Sequence, residues 1–413
     1  MAEEKTKIKI ARTENVFWII LLILACANFL DIGYIFLSIL LFFYTIKNIR
    51  RTMVSSHIIL LLFFSFSYFI FYWYHFGADI TVLLKYLFFP WMSYMVGATF
   101  IRNSERKSAL LVLTFAIAGG LFFHGTLNVI FYRLFHRVDE SYVRLAYDFW
   151  RQDYISVTNH GLLFLIPIGV SIGMLFSKKR SWIVIACLIL AVSTYSAVLL
   201  AYRTFFVIMG MVIIGGGCYL LFSSTMPSRK KIKIILAALL TILICIVVWR
   251  LNIADIRRLV QSSRLYRRMT QGDIINAGGR VNIWQSFFEN WFQYPFGGEK
   301  IALYKNHSYV HNFWLDIYRV AGLVPFAFSI IATVDELMIQ RRYTHMSNDR
   351  CSTIIINCVT IVVLLGFMVE PVYIANPYVY YYFLIIQGGM LGEIRQEEGI
   401  CIKEKYSFSR QLQ

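Results

Sequence analysis

The chain has 413 residues, of which 58% are apolar, 17% aromatic and only 15% charged. A water-soluble globular protein of this length would need far more surface charge, so that class is excluded. The net charge of +17 would suggest nucleic acid in a soluble domain. In a membrane protein it is the ordinary result of basic loops retained on the cytoplasmic side, and no nucleic-acid partner is expected.

Apolar runs near twenty residues long, enough for an α-helix to cross about 30 Å of hydrocarbon, recur along the chain. Lys5, Lys7, Lys9 and Arg12 precede a first predicted span at 16–30. A short turn at Asp31 leads to a second at 34–46, then Lys47, Arg50 and Arg51. Spans at 57–76 and 80–101 follow, a basic loop with Arg102, Arg106 and Lys107, and a fifth span at 109–131. The mixed-charge segment 132–154 is expected to hold a short interfacial helix, because Tyr142, Leu145, Ala146 and Phe149 recur at helical spacing. Further spans are expected at 155–176, 182–200, 204–222 and 234–249.

After a long polar segment come spans at 312–334, 353–369 and 378–391, and then a polar tail. The expected fold is therefore an all-α polytopic membrane protein with about twelve transmembrane helices. Nine lie in 1–249, a large external loop with short amphipathic helices occupies 250–311, three more lie in 312–394, and 395–413 is a cytoplasmic tail. The basic loops alternate with this count and put both termini on the cytoplasmic side. The seven cysteines fall in apolar runs or at expected cytoplasmic positions, so no disulfide framework is indicated. The N-terminus lacks a small-residue cleavage site after Leu30, so the first run is kept as a helix.

Function is sought in the long polar segment. Nine Lys or Arg residues lie between Arg250 and Lys305, and most of the basic residues placed outside are arginines. External basic residues run against the positive-inside tendency, and arginine offers a charged planar fork that grips phosphate oxygens. Local acids and lipid phosphates are the alternative partners for each one. Arg203 stands at a very short turn between two spans, where snorkelling to headgroups competes with a ligand role. The stretch 253–270 reads as an amphipathic helix with Arg257, Arg264 and Arg268 on one side, a stripe that equally suits anionic headgroups.

His307 and His311 are spaced as metal ligands on a helix would be, but no third ligand matches them, and no metal or cofactor is expected. His311 is the better general base, since a neutral imidazole accepts a proton near pH 7. On a continuous helix His311, Leu315 and Arg319 would share a face, with Arg319 about 12 Å further along. Asp316 or Glu370 would then be its expected partner. His124, in the middle of the fifth span, has no evident partner.

Taken together, Arg280 and Trp284, Pro295-Phe-Gly297-Gly298, His311-Asn312-Phe-Trp-Leu and Gly322-Leu323 resemble the bacterial O-antigen polymerase and O-antigen ligase family. Arg203, eight residues beyond Tyr195, looks like the arginine those proteins carry ahead of their large periplasmic loop. The resemblance covers roughly 195–325 and the span layout. It implies a metal-independent, inverting glycosyltransferase of the GT-C type in the bacterial cytoplasmic membrane, with its active site on the periplasmic face. The implied donor is an undecaprenyl-diphosphate-linked oligosaccharide.

In that reading Arg203 and Arg280 grip the diphosphate and His311 deprotonates or orients the acceptor hydroxyl. Arg319, Arg257 and Arg264 are further substrate-binding candidates. Polymerisation of repeat units into O-antigen, lipopolysaccharide or capsule is the expected reaction. A ligase, or in another class a lipid-linked oligosaccharide flippase, is the alternative. Membrane lipids and a chain-length regulator protein are the expected partners.

Overall fold

The structure, a computed structural model, describes residues 15–51, 54–77, 79–104, 108–135, 145–177, 179–222, 279–347 and 349–411, with 255–263 and scattered positions between 232 and 270. Two compact units are present: Met1–Ser193 with Arg280–Gln413, and Thr194–Gly279. The long polar segment expected at 250–311 is thus divided at Gly279.

The chain is mostly helical. Helices α1 (Asn15–Cys26) and α2 (Gly33–Lys47) are short and apolar. Helices α3 (Ser56–Phe76), α4 (Ile80–Arg102) and α5 (Ala109–Leu134) are each long and apolar enough to cross a membrane. A β-hairpin follows, with β1 (Leu145–Asp148) antiparallel to β2 (Asp153–Ser156). Helices α6 (Val157–Leu175) and α7 (Arg180–Leu199) also meet the length and composition of a span. In the second unit lie α8 (Arg203–Phe222) and the short α9 (Ile256–Ser262). The first unit resumes with α10 (Arg280–Asn290) and α11 (Phe313–Ala321). Two more span-length helices, α12 (Leu323–Met346) and α13 (Arg350–Val369), precede the 35-residue α14 (Pro377–Gln411).

Small residues set the closest helix crossing. Gly97 on α4 faces the Ile385 carbonyl of α14, and Gly388 on α14 faces the Tyr94 carbonyl of α4, so a methyl group at either position would strike backbone. This is the close approach that packing between apolar helices rewards when water supplies no driving force. Polar side chains join other spans. Buried His57 on α3 lies 2.7 Å from Asp335 and 3.4 Å from Glu336 on α12.

Three features differ from the sequence reading. Where the sequence predicts an interfacial helix within 132–154, the residues from Leu145 onward form a hairpin, and 136–144 lie outside the described residues. Ala146 and Asp148 are buried while Leu145 and Tyr147 are only half-buried, so the side chains alternate with a period of two. Residue Tyr142 lies outside the described residues. The hairpin exists because Asp148 organises its turn, accepting from the amides of Trp150 and Arg151, both at 3.0 Å.

The same carboxylate answers for His124, which has a partner after all: its Nε2 lies 2.9 Å from Asp148. Burial alone would raise the Asp148 carboxyl, but His124 and the two amides outweigh it and hold it down at about 2. Because the folded value is depressed, this stability is present above the unfolded value near 3.8 and is lost as pH falls through about 2. We expect Asp148→Asn to lower stability by about 2 kcal/mol at neutral pH. In thermal melts across pH, the gap to wild type should close as pH drops below about 4; a gap independent of pH would contradict this assignment.

The expected span 312–334 is not one helix, and the break at Gly322 shapes the site below. Of the amphipathic helix expected over 253–270, α9 ends at Ser262 with Ser263 as its C-cap, and Leu265, Tyr266 and Thr270 beyond it are helical; Arg264 and Arg268 lie outside the described residues.

Candidate functional site

Most of the residues carrying the resemblance converge in one place within the first unit. A small apolar core of Ile283, Phe287, Ile301, Leu303, Val310 and Tyr318 holds α10, the following loop and α11 together. Trp284 packs against it and donates its indole N–H to the Val310 carbonyl at 2.9 Å.

The loop Pro295–Gly298 closes against the C-terminal end of α11. Gly298 N–H donates to the Val320 carbonyl at 2.9 Å, Glu299 N–H to Arg319 at 2.9 Å, and Leu323 N–H to Pro295 at 2.8 Å. Gly322 ends α11 at φ 86°, in the left-handed region, and a Cβ there would run into the Pro295 carbonyl. From α3, the His75 ring nitrogen Nε2 lies 2.8 Å from the Phe296 carbonyl, anchoring the loop from outside.

His311 does not belong to the helix. Asn312 is the N-cap of α11, accepting from the amides of Trp314 and Leu315, and His311 precedes it at φ 60°. The reason is local. Asp316 accepts from the amides of Val310 at 2.7 Å and Asn312 at 3.1 Å, and Trp284 holds the Val310 carbonyl. With both neighbours fixed, His311 takes up the left-handed conformation between them. Such backbone outliers in non-glycine residues concentrate at functional sites. Burial raises Asp316 to about 6, despite those two amides and the charges of His311 and Arg319, which pull it down.

His311 and Arg280 meet at a carboxylate that the sequence reading had offered to Arg319. Arg280 Nη2 donates to Glu370 Oε1 at 3.3 Å, and His311 Nδ1 lies 3.7 Å from Glu370 Oε2. Glu370 is buried at 2% exposure, while Arg280 and His311 keep 23% and 22%. The carboxylate is therefore the hidden partner, and the guanidinium and the imidazole are the more exposed groups. Glu370 caps the C-terminal end of α13, where the helix dipole disfavours negative charge, so it depends on these neighbours. Asn312 Nδ2 ties the same end of α13 to α11 through the Met368 carbonyl at 3.2 Å.

Arg319, expected to pair with Asp316 or Glu370, is close enough to Asp316 for its charge to be felt there, but its own hydrogen bonds go to the loop. It donates to the carbonyls of Ser308 at 2.6 Å and Ile301 at 3.4 Å, and lies 3.7 Å from Glu299. At 7% exposure its placement is that of a loop anchor. His307 and His311 share no helix, so their spacing loses its metal-ligand meaning; among the described residues no group of three or more His, Cys, Asp or Glu side chains is placed to hold a metal.

In the second unit, Arg203 is the first residue of α8, after a turn closed by Tyr202 N–H to the Ala197 carbonyl at 2.8 Å. Arg257 on α9 donates to the Arg250 carbonyl at 2.8 Å. Arg264 lies outside the described residues.

Chemically, the Arg280–Glu370–His311 group can hold an anion at a guanidinium and take a proton at an imidazole. Arg280 and His311 are legible in the sequence, but Glu370 as their shared partner is not. Its signal was an isolated acid in an otherwise apolar turn between two spans, at Glu370-Pro371. No protein-family model matches the chain, and no curated protein is significantly similar to it.

Proposed function

We propose that this chain is a membrane glycosyltransferase that joins lipid-diphosphate-linked oligosaccharide repeat units into a surface polysaccharide. The observation that carries the reading is the convergence of Arg280 and His311 on the buried carboxylate of Glu370. Glycosyl transfer from a lipid diphosphate makes two demands: a proton must leave the acceptor hydroxyl, and negative charge must be neutralised on the departing diphosphate.

His311 meets the first demand. With Nδ1 turned toward Glu370, Nε2 is available to an acceptor hydroxyl, and the carboxylate stabilises the imidazolium that forms. Arg280 meets the second with a planar donor fork. The hydroxyl oxygen forms its bond to the anomeric carbon as the bond to the diphosphate oxygen breaks, with inversion. The proton passes to His311, and the electron pair leaves with the diphosphate.

Twelve spans with both termini cytoplasmic belong to the same proposal. Seven helices have the length and composition of spans, and α1, α2, α8 and the apolar first part of α14 add four. The stretch 234–249, outside the described residues for most of its length, supplies the twelfth. This count places the Glu370 turn, the hairpin and the loop after α10 on the external side.

In cells lacking the chromosomal copy, Arg203→Ala, Arg280→Ala and His311→Ala are each expected to abolish long glycan chains at normal protein levels. Normal ladders from all three variants would sink the assignment. Loss of glycan transfer to a final acceptor, with chain lengthening intact, would make the protein a ligase. Precursor trapped on the cytoplasmic side would make it a transporter.

A further inference from the structure

A cavity of about 370 Å³ opens in the first unit, away from the Arg280–Glu370–His311 group. That volume lies in the range of small-molecule sites, about 300–1,000 Å³. Its walls come from the turns around Asn28 and Asp31, from α4, α5, the hairpin, the start of α6, and the turn leading into α14. Nothing in the glycosyl-transfer chemistry above uses it.

Two of its lining groups have unmet needs of opposite kind. Lys85 sits inside span α4, in a π-helical turn at Leu84–Phe88. Such turns break the regular helix at a stability cost and recur at functional sites. The Tyr86 ring lies 4.9 Å from the ammonium, and among the described residues no carboxylate comes within ion-pair distance of it. The other charged groups of the cavity are matched already: Arg151 with Asp31 at 3.3 Å, and His124 with Asp148 at 2.9 Å. A charge inside a membrane-spanning segment is costly unless paired or solvated, so Lys85 calls for an anion.

Asn159 has the reverse requirement. Its Oδ1 is buried without a hydrogen-bond partner among the described residues and can only accept. A deprotonated carboxylate or a phosphate diester has no hydrogen to give it, whereas a hydroxyl does. Asn376, Tyr34 and Tyr378 supply further amide and phenol surface around the opening.

We propose that this cavity binds an acidic sugar unit, with Lys85 as counter-cation to its carboxylate and Asn159 accepting from a ring hydroxyl. That the ligand is a sugar rests on the glycosyl-transfer reading; the isolation of Lys85 does not. Packed rings connect the cavity wall to the turn that carries Glu370. The ring of Tyr86, next to Lys85, lies 5.5 Å from that of Tyr373 at a tilt of 41°, and Tyr373 follows Glu370 by three residues. A second site of this kind would select repeat units carrying an acid group.

The test is direct binding to purified full-length protein in phosphatidylcholine nanodiscs, and again in nanodiscs containing phosphatidylglycerol, titrated with glucuronate, glucose and inorganic phosphate. Glucuronate should bind saturably, and at least tenfold more tightly than either glucose or phosphate. Lys85→Met should weaken it at least tenfold, and Lys85→Arg should restore most of the loss. Arg280→Ala should leave this binding unchanged, so that a failed polymerisation assay and a failed cavity are told apart. Equal binding by wild type and Lys85→Met, or none by wild type at millimolar concentration, overturns the proposal. Phosphate binding as well as glucuronate overturns the sugar. Phosphatidylglycerol occupying the site through Lys85, with glucuronate excluded, assigns the cation to lipid and overturns it too.

Discussion

Replacing Glu370 with glutamine is expected to lower polymer formation about a hundredfold, with near-normal amounts of folded protein in the membrane. Glutamine keeps the volume and one acceptor for Arg280, so the buried end of α13 stays filled. What it removes is the charge that orients His311 and stabilises its protonated form. Loss of an electrostatic contact made mainly in the transition state is worth about 2.7–4 kcal/mol, the lower end of which is the hundredfold figure. Glu370→Ala is the harsher change, because taking one partner from a buried ion pair costs about 3–5 kcal/mol of stability.

The glutamine variant should also be coupled to His311. Glu370→Gln with His311→Ala is expected to be little worse than His311→Ala alone, since both remove one function. Multiplying losses would mean that Glu370 acts through Arg280 instead. Rate against membrane protein level, for the two single variants and the double, separates these outcomes.

Gly322→Ala is expected to be as damaging by a different route. Its φ of 86° is costly for any side chain, and the added methyl meets the Pro295 carbonyl and the Phe296 backbone. Strain and clash together amount to about 3 kcal/mol, most simply relieved by releasing the Pro295–Gly298 loop from α11. Released, the loop gives up the Leu323 N–H to Pro295 bond and the hold on Glu299, leaving Arg319 with less to anchor. The expected result is faster limited proteolysis within 295–305 and at least tenfold lower activity. A variant with normal protease resistance and normal activity would show that the loop does not set the site.

Composition and span-length apolar runs made the helical membrane class legible in the sequence, because bilayer thickness imposes one length on every crossing. Motif residues were legible as well: Trp284, Pro295–Gly298 and Gly322 each proved to have a specific hydrogen bond or close approach. Less visible was anything decided by backbone detail. His311 was assigned to a helix face because periodicity extends a helix until something stops it, and the stop here is Asn312 acting as N-cap. The hairpin around Asp148 was read as helix because four apolar residues matched helical spacing, while the turn depends on one carboxylate bonding two amides. Glu370 and Arg280 are ninety positions apart, so their pairing is a tertiary fact with no local trace.

The most direct test of the central claim is product analysis with purified protein and a lipid-diphosphate-linked repeat unit as the only substrate. Wild type should convert it to a ladder of longer lipid-linked glycans and release one lipid diphosphate per bond formed. His311→Ala and Arg280→Ala should each leave the donor unconsumed. A wild-type ladder matched in rate by both variants, or donor consumed without chain growth, would contradict the account.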